Sequence, residues 1–89
     1  MTELEKAIAR QLRLSENAAE KLLDTIRENI EAAEAELIRS GCDADMVHEH
    51  GPLYTQAIKS YVCMMMCNDD LYERYAEMFK YQQDCLRKS

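Results

Sequence analysis

The sequence is poor in turn-forming residues, because it has two glycines and one proline in 89 residues, and it has no tryptophan. Good helix formers, such as alanine, glutamate, leucine and methionine, dominate the rest of the chain. We therefore expect an all-α fold, a small bundle of about four helices ordered short, long, medium and medium. The length predicts a single domain over residues 1–89.

The chain also lacks a basic excess and a long apolar run, and we expect no signal peptide. Its formal charge is −6 and its pI is about 4.8, whereas a protein that wraps a phosphate backbone needs a basic patch. No apolar run approaches the roughly 20 residues of a membrane span, and the amino terminus is charged within its first residues. We expect a protein without a membrane partner, made and kept in the cytosol, with its cysteines as free thiols.

The first half of the chain carries signals for two helices. Residues 2–5 have the form of a capping box and predict a short helix that ends near residue 12. Ser15 precedes a long apolar stripe at helical spacing, which predicts one helix over about 16–39. Gly41 is placed to end that helix.

The second half carries signals for two further helices after one loop. The stretch between Gly41 and Pro52 is polar and is expected to be a loop. Pro52 is well placed for the first position of a third helix, which should run to about residue 67. Asp70 and Glu73 have the spacing of a capping box and predict the start of the last helix.

The stretch "YVCMMMC" raises the question of metal or redox chemistry. Cys63 and Cys67 lie one helical turn apart, and His48, His50 and Cys42 could complete a thiol or zinc module. However, the two cysteines lie within a helical pattern rather than on a turn, and no phosphate-binding loop or convincing nucleophile is visible. We therefore interpret the cysteines as small hydrophobic residues and expect no enzyme activity, no metal site and no cofactor.

The third predicted helix is apolar on almost all of its faces, which is typical of a helix buried on all sides. Because four short helices cannot enclose it completely, we expect a neighbouring subunit to contribute to its burial. Methionine is frequent at adaptable protein contacts. Six residues are therefore candidates for the core or for a subunit contact: Tyr61, Met64, Met65, Met66, Tyr75 and Phe79.

Acidic residues recur at a spacing of four along the long predicted helix. Like charges at this spacing are mildly destabilising in an isolated helix. The row can be a solvated face or an acidic wall, and the residues alone leave both interpretations open. Its members are Glu16, Glu20, Asp24 and Glu28.

The chain from Pro52 to Leu86 resembles the carboxyl-terminal half of tailed-phage head–tail connector proteins, which are also described as DNA-packaging proteins. The resemblance is carried by "PLYTQAIKSYV" and, after an interruption rich in Asn and Asp, by "LYERYAEMFKYQQDCL". The first half of the chain matches only in the order of its elements. The chain departs from the family at Cys67 and Asn68, where relatives often have a glycine and an aromatic residue, and at 64–66, where methionines replace a more polar segment.

This resemblance implies a phage or prophage structural protein, made in the cytoplasm of the host bacterium and located in the virion. Copies would form a ring beneath the portal, which the family implies to be dodecameric, joining the DNA-filled head to the tail and extending the DNA channel. The partners would be further copies, the portal protein, a tail-side head-completion protein and DNA that passes without specific binding. The four carboxylates would form an acidic channel wall, or an exposed ring face, past which DNA slides by like-charge repulsion.

A second class of function is binding of a different protein through the apolar surface of the third predicted helix. The chain would then be a small cytosolic helical module that regulates or binds a partner protein. A stable monomer that never assembles favours this alternative, whereas a ring-sized oligomer favours the connector. The thiol or zinc module is a third hypothesis, favoured by stoichiometric zinc.

Overall fold

The expected all-α bundle is present in the computed structural model, which describes residues 1–67 and 69–87. This part of the chain contains six helices and no strand. Four of the helices have nine residues or more and correspond to the four predicted from the sequence. The helices are α1 (Glu3–Gln11), α2 (Glu16–Lys21), α3 (Leu23–Arg39), α4 (Ala44–His48), α5 (Pro52–Met66) and α6 (Asp69–Leu86).

The caps predicted for the first helices are present. The Thr2 hydroxyl accepts a hydrogen bond from the Glu5 backbone N–H at 3.1 Å, and the Thr2 N–H donates to the Glu5 carboxylate at 2.7 Å. These reciprocal bonds form the capping box that starts α1. The Ser15 hydroxyl accepts from the Ala18 N–H at 3.2 Å and caps α2.

The prediction of one helix over 16–39 is wrong, because the chain bends at Leu22 into α2 and α3. Leu22 has φ −98° and ψ 5°, and it ends one helix and caps the next without a side-chain hydrogen bond. No proline or glycine lies at this position to signal a break. Ala19 of α2 is only 3% exposed, and it borders a surface groove together with Ala9 and Leu14.

Two further boundaries differ from the predictions. The expected loop before Pro52 contains the short helix α4, in which the Asp43 carboxylate accepts from the Met46 N–H at 3.2 Å. Burial of Val47, which is 0% exposed, anchors this turn to the core. The last helix begins at Asp69 rather than after Asp70, so Asp70 lies in its first turn.

Gly41 ends α3 as predicted, with φ 113°, which is a conformation that favours glycine. Its N–H donates to the Ile38 carbonyl at 3.1 Å. The N–H of Cys42 donates to the Leu37 carbonyl at 3.0 Å. These two bonds form a Schellman motif and satisfy carbonyl groups at the end of the helix.

Helix α5 lies at the centre of the bundle and packs against α6, α3 and α1. Its residues Ala57, Ile58, Val62 and Cys63 are 0% exposed, so the chain itself buries much of this helix. Large apolar side chains remain more than half exposed at its two ends, namely Leu53 at 68% and Met65 at 51%. No described helix combines the length and the apolar character that crossing a membrane requires.

Candidate functional site

The aromatic candidates join α5 to α6 inside the bundle. The ring centroids of Tyr61 and Phe79 lie 5.2 Å apart at an interplanar angle of 65°, an edge-to-face contact. Phe79 is 7% exposed and belongs to the core, against which Tyr61 packs. These two of the six candidate contact residues therefore hold the fold together.

Tyr75 and the methionines occupy the margin of the core. The Tyr75 hydroxyl accepts a hydrogen bond from the Gln11 amide at 3.2 Å, which links α6 to α1. Met66 packs against the core, Met64 is half-buried, and Met65 is 51% exposed. Of the three methionines, Met65 is therefore the one whose side chain is most open to a partner.

The four acidic candidates are all exposed, but they do not form one straight helical row. Glu16 and Glu20 lie on α2, whereas Asp24 and Glu28 lie on α3, because the chain bends at Leu22 between the two pairs. Exposed carboxylates keep their hydration and can present a negative surface at little cost. An acidic wall formed by these residues remains a prediction.

A groove of about 570 Å³ lies at the end of the bundle where α5 finishes, and leucine and methionine side chains line it together with the polar side chains of Gln11, Arg13 and Tyr75. Among the described residues, Arg13 is the only charged residue in its lining. We name this feature the leucine groove. Its apolar lining consists of Leu12, Leu14, Leu22, Met66 and Leu71.

The turn after α1 shapes one side of the leucine groove. Arg13 has φ 58°, which is unusual for a residue other than glycine. The N–H of Arg13 donates to the Arg10 carbonyl, and the N–H of Leu14 donates to the Ala9 carbonyl, both at 3.0 Å. This Schellman motif turns the chain sharply, so that Leu12 and Leu14 both reach the groove while Arg13 stays exposed.

A second apolar feature lies at the opposite end of α5. Leu53 is 68% exposed and Met46 is 47% exposed, and both border a shallow pocket of about 190 Å³. Glu49 is the only charged residue among the described residues that line this pocket. We name this feature the Leu53 corner. Since 13 residues separate Leu53 from Met66, a rise of 1.5 Å per residue places the corner about 20 Å along α5 from the groove.

A cleft of about 760 Å³ that contains several charged residues lies between α1, α3 and α5. The Arg27 guanidinium donates to the Glu5 carboxylate at 2.8 Å, and the Glu5 side chain is only 6% exposed. The hydrogen bond from Arg27 lowers the pKa of Glu5, and the capping bonds from Thr2 lower it further against the opposing effect of burial. This ion pair joins the first turn of α1 to α3.

Glu34 forms a second polar link at the margin of the cleft. Its carboxylate lies 2.7 Å from His50 Nε2 and 3.3 Å from His48 Nδ1. The Thr55 hydroxyl donates to the His50 carbonyl at 2.9 Å, which fixes the turn between α4 and α5. The sequence indicates the histidines only as ligands of a zinc module and does not connect them with Glu34, which lies more than a dozen residues away along the chain.

The four cysteines are free and differ strongly in exposure. Cys42 and Cys63 are buried, Cys67 is half-buried and Cys85 is exposed. Burial raises the pKa of Cys63 to about 11, so its thiol is protonated and unreactive at neutral pH. Among residues 1–67 and 69–87, no group of three or more ligating side chains is arranged to hold a metal ion. The structure brings the histidines to Glu34 rather than to the cysteines.

Comparisons of the chain with protein-family models, with curated proteins and with solved structures find no match.

Proposed function

We propose that this chain is the head–tail connector of a tailed phage or prophage, a structural protein that assembles as a ring beneath the portal. The observation that carries the proposal is the connector-like sequence of residues 52–86. That segment folds into two packed helices, α5 and α6, while apolar surface stays exposed at both ends of α5. Exposed apolar surface of this kind is typical of a protein that binds other chains.

In the proposed ring, the exposed carboxylates of α2 and α3 line the DNA channel or an exposed ring face. DNA carries a dense negative charge, so a negative wall lowers the affinity of the ring for DNA and allows passage without specific binding. The portal and a tail-side head-completion protein dock on the two faces of the ring.

The experiment that tests this function combines the purified chain with the portal protein of the phage or prophage that encodes it. Native mass spectrometry and electron microscopy should show a ring of copies, dodecameric by the family resemblance, attached to one face of the portal. A chain that stays monomeric and unbound at a high concentration of both proteins would contradict the proposal.

The role of the carboxylates is tested on the assembled ring with matched double variants. We expect Glu20→Gln with Asp24→Asn to raise the binding of the ring to duplex DNA, because two negative charges per copy are removed from the wall. The control replaces Glu73 and Glu77 of α6, which are also exposed, with glutamine. Equal DNA binding by both double variants in a filter-binding titration would refute the channel assignment.

A second candidate function is a small helical module that binds a different protein through the same surface. The observation that favours it is the exposure of Leu53 at 68% and of Met65 at 51%, because a partner protein of another kind can cover this apolar surface as well as a second copy can. This candidate predicts a chain that stays monomeric with the portal and forms a complex of fixed stoichiometry with one cellular protein.

A further inference from the structure

We propose that adjacent copies join head to tail, with the Leu53 corner of one copy inserted into the leucine groove of the next. The inference rests on the proposed function, because it names the contact between subunits of that ring. The groove is occupied by a second copy of this chain.

Both surfaces carry apolar side chains that a contact between copies would bury. The groove is concave and lined mostly by leucine and methionine side chains, with a volume of about 570 Å³. The corner presents Leu53 and Met46, which are 68% and 47% exposed. Insertion removes apolar surface of both copies from water, which is the main favourable term in protein association.

The charges that border the two surfaces are also complementary. Among the described lining residues, Arg13 is the only charged residue of the groove, and Glu49 is the only charged residue of the corner pocket. Both side chains are exposed at the rim of their surfaces. Opposite charges at a rim fix the register of a contact and speed association.

The positions of the two surfaces determine the type of assembly. They lie at opposite ends of α5, about 20 Å apart along the helix, so a single copy cannot fill its own groove. A contact between two different surfaces is heterologous and repeats from copy to copy, and it forms a closed ring where the rotation between copies closes and an open filament where it does not. The corner and the groove therefore supply the kind of contact that the proposed ring requires.

The test uses one variant of each surface, Leu53→Glu for the corner and Leu71→Glu for the groove. Both side chains are exposed, at 68% and 42%, so the variants should fold, and thermal unfolding followed by circular dichroism checks this. In sedimentation velocity at increasing concentration, we expect the wild-type chain to associate and each variant to associate at least about tenfold more weakly.

A mixture of the two variants gives the sharpest result. The Leu53→Glu chain keeps an intact groove, and the Leu71→Glu chain keeps an intact corner. Their mixture should form a one-to-one dimer that grows no further, because the remaining two surfaces are both damaged. A mixture that stays monomeric would overturn the proposal, as would a wild-type chain that is monomeric at millimolar concentration.

The register is tested by exchanging the rim charges. Arg13→Glu and Glu49→Arg should each weaken association, and the chain that carries both changes should recover it. Failure of the double variant to recover would refute the assigned register.

The control is Tyr81→Glu, because Tyr81 is 72% exposed and lies outside both surfaces. Association that is lost in this control but retained in Leu53→Glu would overturn the proposal.

The same experiments separate this inference from the proposed function. If both Leu53→Glu and Leu71→Glu assemble on the portal as the wild-type chain does, the contact is wrong and the connector function stands. If the Leu53→Glu and Leu71→Glu chains form the expected dimer but the wild-type chain does not bind the portal, the contact between corner and groove is correct and the connector function is wrong.

Discussion

Two joints of the bundle are stabilised by different forces. Helix α6 is joined to α5 by the aromatic contact of Tyr61 with Phe79, at a centroid distance of 5.2 Å. Helix α1 is joined to α3 by the ion pair of Glu5 with Arg27, at 2.8 Å. Burial of apolar surface does not depend on protonation, whereas the ion pair requires a charged carboxylate. The joints should therefore respond differently to acid.

The largest expected effect comes from shortening the aromatic side chain at the α5–α6 joint. We expect Phe79→Ala to lower the free energy of unfolding by about 3–4 kcal/mol, because it removes a buried ring and leaves a cavity. Urea unfolding at neutral pH measures the loss. Tyr81→Ala is the control, since Tyr81 is 72% exposed and its loss should change stability by less than about 0.5 kcal/mol. Equal losses in the two variants would contradict the assignment of Phe79 to the core.

A smaller effect is expected at the α1–α3 joint. Glu5→Gln keeps a residue that can complete the capping box but removes the charge that pairs with Arg27. We expect the free energy of unfolding to fall by about 1 kcal/mol at neutral pH, since hydrogen bonds to charged groups contribute at this level.

The pH dependence distinguishes the two joints. Because Arg27 lowers the pKa of Glu5 in the folded chain, the unfolded chain binds more protons near the ordinary pKa of glutamate. The stabilisation is therefore present above that ordinary pKa and is lost as the pH falls through the lowered value. The difference between wild-type and Glu5→Gln should shrink on acidification from pH 7 to below about pH 4, while the effect of Phe79→Ala should stay nearly constant. A difference between wild-type and Glu5→Gln that does not change with pH would show that the charge of Glu5 is unimportant.

The smallest expected effects concern the turns that follow α1 and α3. Both turns are Schellman motifs, but one has Arg13 at φ 58° and the other has Gly41 at φ 113°. We expect Arg13→Gly to raise the free energy of unfolding by about 0.5–1 kcal/mol and Gly41→Ala to lower it by about 1 kcal/mol. A Cβ at Gly41 would meet no atom within 4 Å, so its cost comes from the backbone alone. Thermal unfolding of dilute, monomeric chain should show opposite shifts, and shifts of the same sign would refute this comparison.

The sequence predicts the parts of the fold that depend on local chemistry. The caps at Thr2 and Ser15 and the stop at Gly41 are confirmed, because each depends on hydrogen bonds or dihedral angles within a few residues. The bend at Leu22 and the positive φ of Arg13 could not be predicted in this way. Neither position carries the glycine or proline that signals a turn.

The candidate surfaces also divide into features that local sequence indicates and features that depend on residues distant in sequence. The apolar character of α5 was visible in the sequence, and so was the row of carboxylates from Glu16 to Glu28. The leucine groove was not, because residues from four separate helices and turns form it, and Leu12 and Leu71 are distant in sequence. The link of Glu34 to the two histidines was missed because it joins α3 to the turn after α4.

Because the four thiols differ in exposure, their rates of chemical modification measure how often the core of the bundle opens. A thiol reagent can reach Cys85 in the folded protein, whereas Cys42 and Cys63 react only when the core opens. The rate at which the buried thiols are modified therefore measures how often the bundle opens, without any added label. Because Cys63 lies on α5 and Cys42 lies beyond α3, the two rates compare the opening of two regions of the bundle under native conditions.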